Sequence, residues 1–291
     1  MDAPLREPSP PPIFPVGRVT IVGVLNLTPD SFSDGGRLLG AGGAPDLAAA
    51  LAAARALVAA GADVLDIGGE STRPGAQEVP AAVEIARTRP VIEALAKELS
   101  VPLSIDTRKA AVAEAALAAG ARVVNDVSGL RHDPTLARLA AEAGAALVLG
   151  HLRGEPATMQ HEICFDDVLC EVAAELSAAA DAARSSGFRG ELLADPGIGF
   201  GKRLPHNLAL LANLAELRAR VGLPLLVGVS RKAFLGELTG DGVSERDLAS
   251  AIVCGIAAFA GADALRVHDA GGARRAVALG VALRAAKRPA A

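Results

Sequence analysis

The chain has 291 residues, of which 51% are hydrophobic, 21% are charged and only 2% are aromatic, with no Trp or Tyr. This composition excludes a disordered chain and predicts a sizeable buried core. The net charge of −4 and the scarcity of side chains that stack on bases argue against a nucleic-acid partner. No apolar run reaches the roughly 20 residues of a membrane-spanning helix, so no membrane partner is expected.

The first 17 residues are rich in proline and contain no apolar segment typical of a signal peptide. They are predicted to form a disordered leader. The three cysteines, Cys164, Cys170 and Cys254, form neither a CxxC pair nor an even disulfide framework. This cysteine usage favours a cytoplasmic protein, because the cytosol keeps thiols reduced.

From residue 18 to residue 288 one pattern repeats. An Ala- and Leu-rich helical stretch is followed by Gly or Pro, a short apolar run and a polar residue. The apolar runs predict strands of a parallel sheet that is buried on both faces. The polar residues recur about every 35 positions, the size of a βαβ unit. They are Asn26, Asp66, Asp106, Asn125, His151, Asp195, Ser230 and His268.

Eight such units predict an α/β fold, a single (β/α)8 TIM barrel over residues 18–288, with a doubly wound open sheet as the alternative. The length would allow two domains, but no linker interrupts the repeat. Long loops are expected after strands 1, 2 and 5, because the polar stretches there are extended. Each follows the carboxyl end of a strand, where TIM barrels assemble their active sites. The three loops span residues 27–45, 68–80 and 152–164.

Acids and amides end four of the predicted strands, at Asp66, Asp106, Asn125 and Asp195. Burying several uncompensated carboxylates costs several kcal/mol each, so a ligand with many N–H donors is expected beside them. A guanidine-like or aminopyrimidine edge has that chemistry. A single buried Asp can instead cap a helix or tie two loops. That structural interpretation is favoured for Asp66, because residues 67–69 continue the strand beyond it.

Cationic residues follow several of the same strands, and the loops after strands 7 and 8 of TIM barrels often bind phosphate. A charged surface rim is the alternative interpretation. The run 197–202 is not a Walker A loop, because its spacing is one residue short, and no spacing of His and Cys matches a zinc site. A mostly hydrated Mg²⁺ held by phosphate oxygens is compatible with the pattern. The residues are Arg73, Lys202, Arg231, Lys232, Arg266 and His268.

Two long motifs resemble the signatures of a known family. Residues 23–36, GVLNLTPDSFSDGG, resemble the first signature of the dihydropteroate synthases, and residues 61–75, GADVLDIGGESTRPG, resemble the second. Five shorter motifs follow in the family's order, and together the resemblance covers about residues 18–285. They lie at 104–107, 125–129, 195–202, 230–232 and 266–269.

The resemblance implies a Mg²⁺-dependent transferase of folate biosynthesis. It would condense 6-hydroxymethyl-7,8-dihydropterin pyrophosphate with 4-aminobenzoate and give dihydropteroate and pyrophosphate. It also implies a homodimer formed through helices opposite the mouth of the barrel. Two alternatives stay open at this point. One is a pterin-dependent methyltransferase domain, which has no use for the two loop signatures, and the other is a non-catalytic pterin-binding relative.

By motif position, the resemblance also assigns the site residues. Asp106, Asn125, Asp195 and Lys232 would bind the pterin. Asn26, Thr72, Arg73, Arg266 and His268 would meet the pyrophosphate, with Asn26 as the Mg²⁺ ligand. Phe32, Pro74, Phe200, Ser230 and the stem of Lys232 would shape the aminobenzoate slot. The residues expected to carry the chemistry itself are Asp106, Asp195, Lys232 and Arg266.

One position departs from the family pattern. Where relatives commonly read Met-His-Met, this chain reads Gly150-His151-Leu152. The first Met packs against the pterin in relatives. Gly150 is therefore expected either to leave a gap there or to let a neighbouring residue fill the space.

Overall fold

The protein is described here from a computed structural model that covers residues 11–29, 38–40, 43–73 and 75–287. Over these residues, eight parallel strands alternate with helices and pair in the order β6-β5-β4-β3-β2-β1-β8-β7. Each predicted polar strand-end residue lies within a strand or no more than two residues after it. The strands are β1 (Thr20–Asn26), β2 (Val64–Gly68), β3 (Leu103–Asp106), β4 (Val123–Asp126), β5 (Ala146–Gly150), β6 (Leu192–Asp195), β7 (Leu226–Gly228) and β8 (Ala264–Val267).

The sheet curves back on itself between β6 and β7. A parallel bridge joins Ala194 to Leu225, and the Ala194 amide donates to the carbonyl of Pro224 at 2.9 Å. With β7 paired to β8 and β8 paired to β1, the strands form a nearly closed barrel. The TIM-barrel prediction is confirmed, and the open-sheet alternative is wrong.

Helices cover the outside of the barrel, and long loops precede α1, α2 and α5 as the sequence predicts. After β6 and β7 the connection holds two helices rather than one. No helix of the described residues is long and apolar enough to cross a membrane. The helices are α1 (Leu47–Ala59), α2 (Ala81–Glu98), α3 (Ala110–Ala118), α4 (Leu136–Glu142), α5 (Val168–Ser185), α6 (Leu204–Ala212), α7 (Leu214–Val221), α8 (Ala233–Thr239), α9 (Asp247–Ala260) and α10 (Ala270–Ala285).

The base of the barrel is plugged from the N-terminal segment. Phe14 is buried against inward-facing strand residues such as Val22 and Leu193. The two oxygens of Glu191 accept the backbone amides of Ile13 and Phe14 at 2.8 and 2.9 Å. The expectation of a disordered leader over residues 1–17 is therefore wrong for residues 13 and 14, because an apolar ring seals the open end of the barrel there. Residues 1–10 of that segment lie outside the described residues.

Candidate active site

On several strands, side chains inside the barrel change from apolar to polar towards the carboxyl end. Inward-facing residues alternate in a barrel strand. On β2, Val64 belongs to the apolar plug and Asp66 lies two residues further on, and on β6 Leu193 is followed in the same way by Asp195. The carboxyl ends of the strands therefore form a polar mouth above an apolar base. Its inward-facing residues include Asn26, Asp66, Asp106, Asn125, Asp195, Ser230, Arg266 and His268.

Arg266 joins two carboxylates across the mouth. Its Nε lies 2.6 Å from Asp66 Oδ2 and its Nη2 lies 2.7 Å from Asp106 Oδ2. Asp66 is fully buried, and its Oδ2 also accepts a hydrogen bond from Asn125 Nδ2 at 3.0 Å. Because the amide nitrogen of Asn125 is bound in this way, its Oδ1 is left to face the mouth as an acceptor. Asp66, favoured as merely structural from the sequence, thus orients two predicted site residues.

Charges in this cluster shift one another's pKa. Burial raises the pKa of Asp106 to about 7, an effect that Arg266 opposes and Asp66 reinforces. Burial on its own would lower the pKa of Arg266, but the carboxylates of Asp66 and Asp106 outweigh it and raise that pKa. The guanidinium is therefore charged at any working pH, and it neutralises carboxylates that would otherwise be costly to bury.

Glycines leave the centre of the mouth open. At Gly68 a Cβ would stand 3.7 Å from both Asn26 Oδ1 and Asp106 Oδ2, and at Gly228 it would stand 3.9 Å from Asp195 Oδ2. Larger side chains at these inward-facing positions would fill the space between the acceptors. The result is a polar recess at the mouth, the space between the carboxylate and amide oxygens of these residues, whose chemistry suits a flat ring with N–H groups on its edge.

A second half of the mouth is built on the loop that follows β6. Asp195 Oδ1 accepts the amide of Gly197 at 2.8 Å, and the Lys232 ammonium donates to the carbonyl of Ile198. The same ammonium lies 3.8 Å above the centre of the Phe200 ring, a cation–π contact. Burial lowers the pKa of Lys232 to about 8, and the carboxylate of Asp195 opposes this. Asp195, Lys232 and Phe200 are therefore brought together as the sequence predicted.

Lys202, which the sequence grouped with the rim cations, instead lies beneath this loop and is 3% exposed. Its ammonium donates to the carbonyls of Gly197 and Phe200 at 3.0 Å and to His151 Nδ1 at 2.9 Å. Since Nδ1 accepts this bond, the His151 proton belongs on Nε2, which lies 3.1 Å from Glu175 Oε2. Lys202 thus holds the shape of the loop rather than facing a ligand.

The buried His151 predicts a specific acid sensitivity. Burial lowers its pKa from 6.5 to about 4, and the nearby charge of Lys202 acts in the same direction. Between these values the unfolded chain binds a proton that the folded chain does not, so the free energy of unfolding should fall as pH drops through this window, by up to about 3 kcal/mol for this group. Urea unfolding at several pH values measures the slope.

His151→Gln is expected to reduce that slope, whereas the same change at the exposed His161 is expected to leave it unaltered. An unchanged slope in His151→Gln would contradict the assignment of a neutral buried imidazole.

On the far side of the mouth, His268 and Ser230 form a hydrogen-bonded pair. Ser230 Oγ accepts the His268 amide at 3.1 Å and lies 3.0 Å from His268 Nδ1, to which its hydroxyl can donate. Burial lowers the pKa of His268 to about 3, and the charge of Arg231 adds to this. Arg266 and Arg73 act in the same direction. His268 is therefore neutral, with its Nε2–H available as a donor among cations.

The loop between β2 and α2 carries Thr72 and Arg73, both half-buried. The Gly75 amide donates to the carbonyl of Pro156 at 3.1 Å, which ties this loop to the one after β5. Two residues assigned to the aminobenzoate slot, Phe32 and Pro74, lie outside the described residues. Their placement beside the slot stays a prediction.

The departure at Gly150 is accommodated by the backbone. A Cβ at this position would stand 2.6 Å from both Cα and O of Val127, so no side chain fits without a shift of the main chain. The backbone of Val127, the residue directly after β4, fills the space beside Gly150, which agrees with the expectation that a neighbouring residue fills it.

Comparisons with known proteins agree with this geometry. The family model described as pterin binding enzyme matches residues 22–268. The dihydropteroate synthase of Mycobacterium leprae is 48% identical over 259 residues, covering 86% of this chain and 88% of that protein. The Yersinia pestis dihydropteroate synthase, solved with a sulfonamide drug, is 42% identical with a TM-score of 0.87 over 94% of this chain and 96% of that one. The Xanthomonas albilineans enzyme, solved with 4-aminobenzoic acid, is 42% identical with a TM-score of 0.82 over 92% and 94%.

A barrel whose mouth is lined by acceptors for a nitrogen-rich ring, together with a family match over most of its length, places this chain among the pterin-binding enzymes. Within that class it belongs to the dihydropteroate synthases. These are transferases of folate biosynthesis, and they join a dihydropterin-methyl pyrophosphate to 4-aminobenzoate.

Proposed function

We propose that the pterin ring is recognised by the acceptor oxygens of Asp106, Asn125 and Asp195. Lys232 is proposed to bind the same ring. The observation that carries this proposal is the glycine-walled recess into which these oxygens converge. An aminopyrimidine edge offers several N–H groups, and carboxylate and amide oxygens accept them. Because Asn125 presents its Oδ1, its amide adds an acceptor to the carboxyl oxygens of Asp106 and Asp195.

The pyrophosphate is proposed to bind where the cations and N–H donors lie. The neutral His268 offers its Nε2–H, Arg266 supplies positive charge beside the recess, and Thr72 and Arg73 approach from the loop after β2. Charged donors that are fixed before the reaction stabilise charge developing on a leaving group without reorganising. In this arrangement the pyrophosphate leaves towards these donors while Asp106 and Asp195 stabilise the electron-poor pterin methyl carbon.

A magnesium ion is proposed to accompany the pyrophosphate, with Asn26 as its ligand from the chain. Among the described residues, no three His, Cys, Asp or Glu side chains are grouped as a metal site. The side-chain oxygen of Asn26, which faces the mouth beside Gly68 and Asp106, fits Mg²⁺ brought in by phosphate, because Mg²⁺ prefers oxygen ligands and usually keeps several waters and phosphate oxygens. When bound, the ion would neutralise charge on the leaving pyrophosphate.

The aminobenzoate is proposed to enter between Phe200, the stem of Lys232 and Ser230, with Phe32 and Pro74 completing the slot. Phe200 and Lys232 are already in contact, which gives the slot one apolar and one cationic wall. The amine then attacks the pterin methyl carbon from this side. As the new C–N bond forms and the bond to pyrophosphate breaks, the nitrogen loses one proton, and the released pyrophosphate or water accepts it, because an aromatic amine needs no strong base for the attack.

The pterin assignment is tested by Asp195→Asn. Removing one carboxylate that accepts N–H groups is expected to weaken binding of a pterin analogue by about tenfold or more, since hydrogen bonds to charged groups contribute about 1.5–3 kcal/mol. Isothermal titration calorimetry measures it directly. Asp263→Asn, at the opposite end of the barrel where Asp263 accepts the Leu225 amide, serves as the control and should keep the wild-type affinity. Equal affinities for all three proteins would contradict the assignment.

A homodimer is proposed from the surface of α9 and α10. On α9, Leu248, Ile252 and Ile256 are 74%, 54% and 54% exposed and recur every four residues, and Leu279 and Leu283 of α10 are 69% and 63% exposed. A contiguous apolar face of this kind on a folded protein marks an association surface. This face lies on the side of the barrel, beside β8, and a monomer in sedimentation at micromolar concentration would contradict the proposal.

A cytoplasmic location is proposed from the cysteines. Cys164, Cys170 and Cys254 are all free thiols in the structure. Free thiols persist in a reducing compartment. Secretion of the intact chain with a disulfide would contradict this location.

A further inference from the structure

A second buried charged cluster lies outside the mouth, under the loop that joins β2 to α2. The Lys109 ammonium lies 3.0 Å from Glu84 Oε2 and 3.1 Å from Glu70 Oε1. The side chains of Glu70 and Glu84 are 4% and 0% exposed and that of Lys109 is 10% exposed. Burial raises the pKa of Glu84, which the charge of Lys109 opposes. None of these three side chains belongs to the recess that faces the substrates.

The cluster binds both ends of the loop. Glu70 lies two residues after the end of β2, and its Oε1 accepts the amide of Val79, which lies two residues before α2, at 3.0 Å. Lys109 Nζ donates to the carbonyl of the same Val79 at 2.8 Å. Both polar backbone groups of Val79 are thereby fixed to charged side chains, one from the start of the same loop and one from the residue that begins α3.

The start of the loop is fixed to α2 as well. Arg87 Nη1 donates to the carbonyl of Gly69 at 2.8 Å. A Cβ at Gly69 would stand 2.8 Å from Thr88 Cγ2, so only glycine allows the chain to approach the helix this closely. Residues 71–73, which include Thr72 and Arg73, and residues 75–78 therefore lie between two ends of the loop that are both held in place.

Buried ion pairs contribute little net stability compared with apolar packing of the same volume, but they fix direction and register. The ammonium of Lys109 lies within 3.1 Å of Glu70, of Glu84 and of a backbone carbonyl, whereas an apolar side chain would hold none of these groups. Small displacements of a substrate-positioning group carry large costs, since about 1 Å can lower a rate by about 10²-fold.

We propose that Lys109 is a positioning residue which, through Glu70 and Glu84, holds Thr72 and Arg73 where they receive the pyrophosphate. This inference rests on the proposed function, because the contact of Thr72 and Arg73 with pyrophosphate belongs to that proposal. Its distinctive consequence is that Lys109 affects recognition of the pyrophosphate more than recognition of the pterin ring. Although Lys109 follows Asp106 after β3, its ammonium is bonded to Glu70, Glu84 and Val79 and not to the groups proposed to bind that ring.

The test compares two ligands on the full-length protein in Mg²⁺ by calorimetry, 6-hydroxymethylpterin and its pyrophosphate. In Lys109→Met, affinity for the pyrophosphate form is expected to fall at least about tenfold, while affinity for the plain pterin changes less than about threefold. Lys97→Met, the same change at an exposed position of α2, is the control and should alter neither affinity. Glu84→Gln keeps an acceptor for Lys109 and is expected to show a smaller loss in the same direction, so it tests the inference even if Lys109→Met does not fold.

The results that would contradict this inference also distinguish a wrong pyrophosphate site from a wrong role for Lys109. If the pyrophosphate adds no affinity in the wild-type protein, the proposed pyrophosphate site is wrong, and the role proposed for Lys109 is then wrong as well. If it adds affinity in the wild type and equally in both variants, only the role of Lys109 is overturned. A parallel loss for both ligands would also overturn it, because general loosening of the barrel would then be the cause.

Discussion

Replacing Arg266 by methionine is expected to lower kcat/KM by on the order of 10²-fold or more, the scale for removing one preorganised charge from an active site. The guanidinium is paired with Asp66 and Asp106 at 2.6 and 2.7 Å, so its loss removes positive charge from the proposed pyrophosphate site and also releases Asp106. Steady-state kinetics with both substrates measures the effect. A kcat/KM close to that of the wild type would contradict the role assigned to Arg266.

The same substitution should destabilise the protein. Removing one partner from a buried charge cluster leaves the other charges uncompensated, which costs about 3–5 kcal/mol. Adding Asp66→Asn to Arg266→Met is expected to recover part of the free energy of unfolding but none of the activity, because the amide relieves one buried charge without replacing the guanidinium. Recovery of activity in the double variant would show that Arg266 acts only by neutralising Asp66.

Gly197→Ala is expected to lower the free energy of unfolding by about 3 kcal/mol or more. Gly197 has φ of +64°, and a Cβ there would stand 1.9 Å from the carbonyl oxygen of His151. His151 directly follows β5, and its backbone is held by the barrel. The loop that carries Gly197 must therefore move instead. Movement would take the Ile198 carbonyl away from Lys232 and reduce affinity for both substrates.

The matched control is Gly222→Ala. Gly222 ends α7 with φ of +70° and has no atom within 4 Å of the Cβ position. It therefore carries the backbone strain without the collision, and a loss of only about 1 kcal/mol is expected. Urea unfolding of the two variants separates these causes, and equal losses would show that the close approach to His151 does not constrain the loop.

The barrel could be predicted because its signal is periodic. Each strand of the parallel sheet is an apolar run that ends in a polar residue, and the eight runs recur at the spacing of one βαβ unit. The same regularity placed Asp106, Asn125 and Asp195 at one end of the barrel. Their convergence follows from parallel strands alone and needs no knowledge of side-chain contacts.

Contacts between distant strands could not be predicted in this way. Asp66 meets Arg266 because β2 and β8 both pair with β1, which is decided by closure of the sheet rather than by either local sequence. Lys202 follows a glycine-rich turn, where a surface cation is expected from the sequence. Its ammonium instead points inward, because it is hydrogen-bonded to the Gly197 carbonyl of the loop after β6 and to the imidazole of His151. Phe14 looked like part of a proline-rich leader, and only the open base of the barrel explains its burial.

The reaction itself is the most direct test of the central claim. Purified full-length protein supplied with 6-hydroxymethyl-7,8-dihydropterin pyrophosphate, 4-aminobenzoate and Mg²⁺ should release pyrophosphate and form dihydropteroate in equal amounts, and a chelator should abolish both. No pyrophosphate release, under conditions where the pterin substrate is shown to bind, would contradict the claim and indicate a non-catalytic pterin-binding protein.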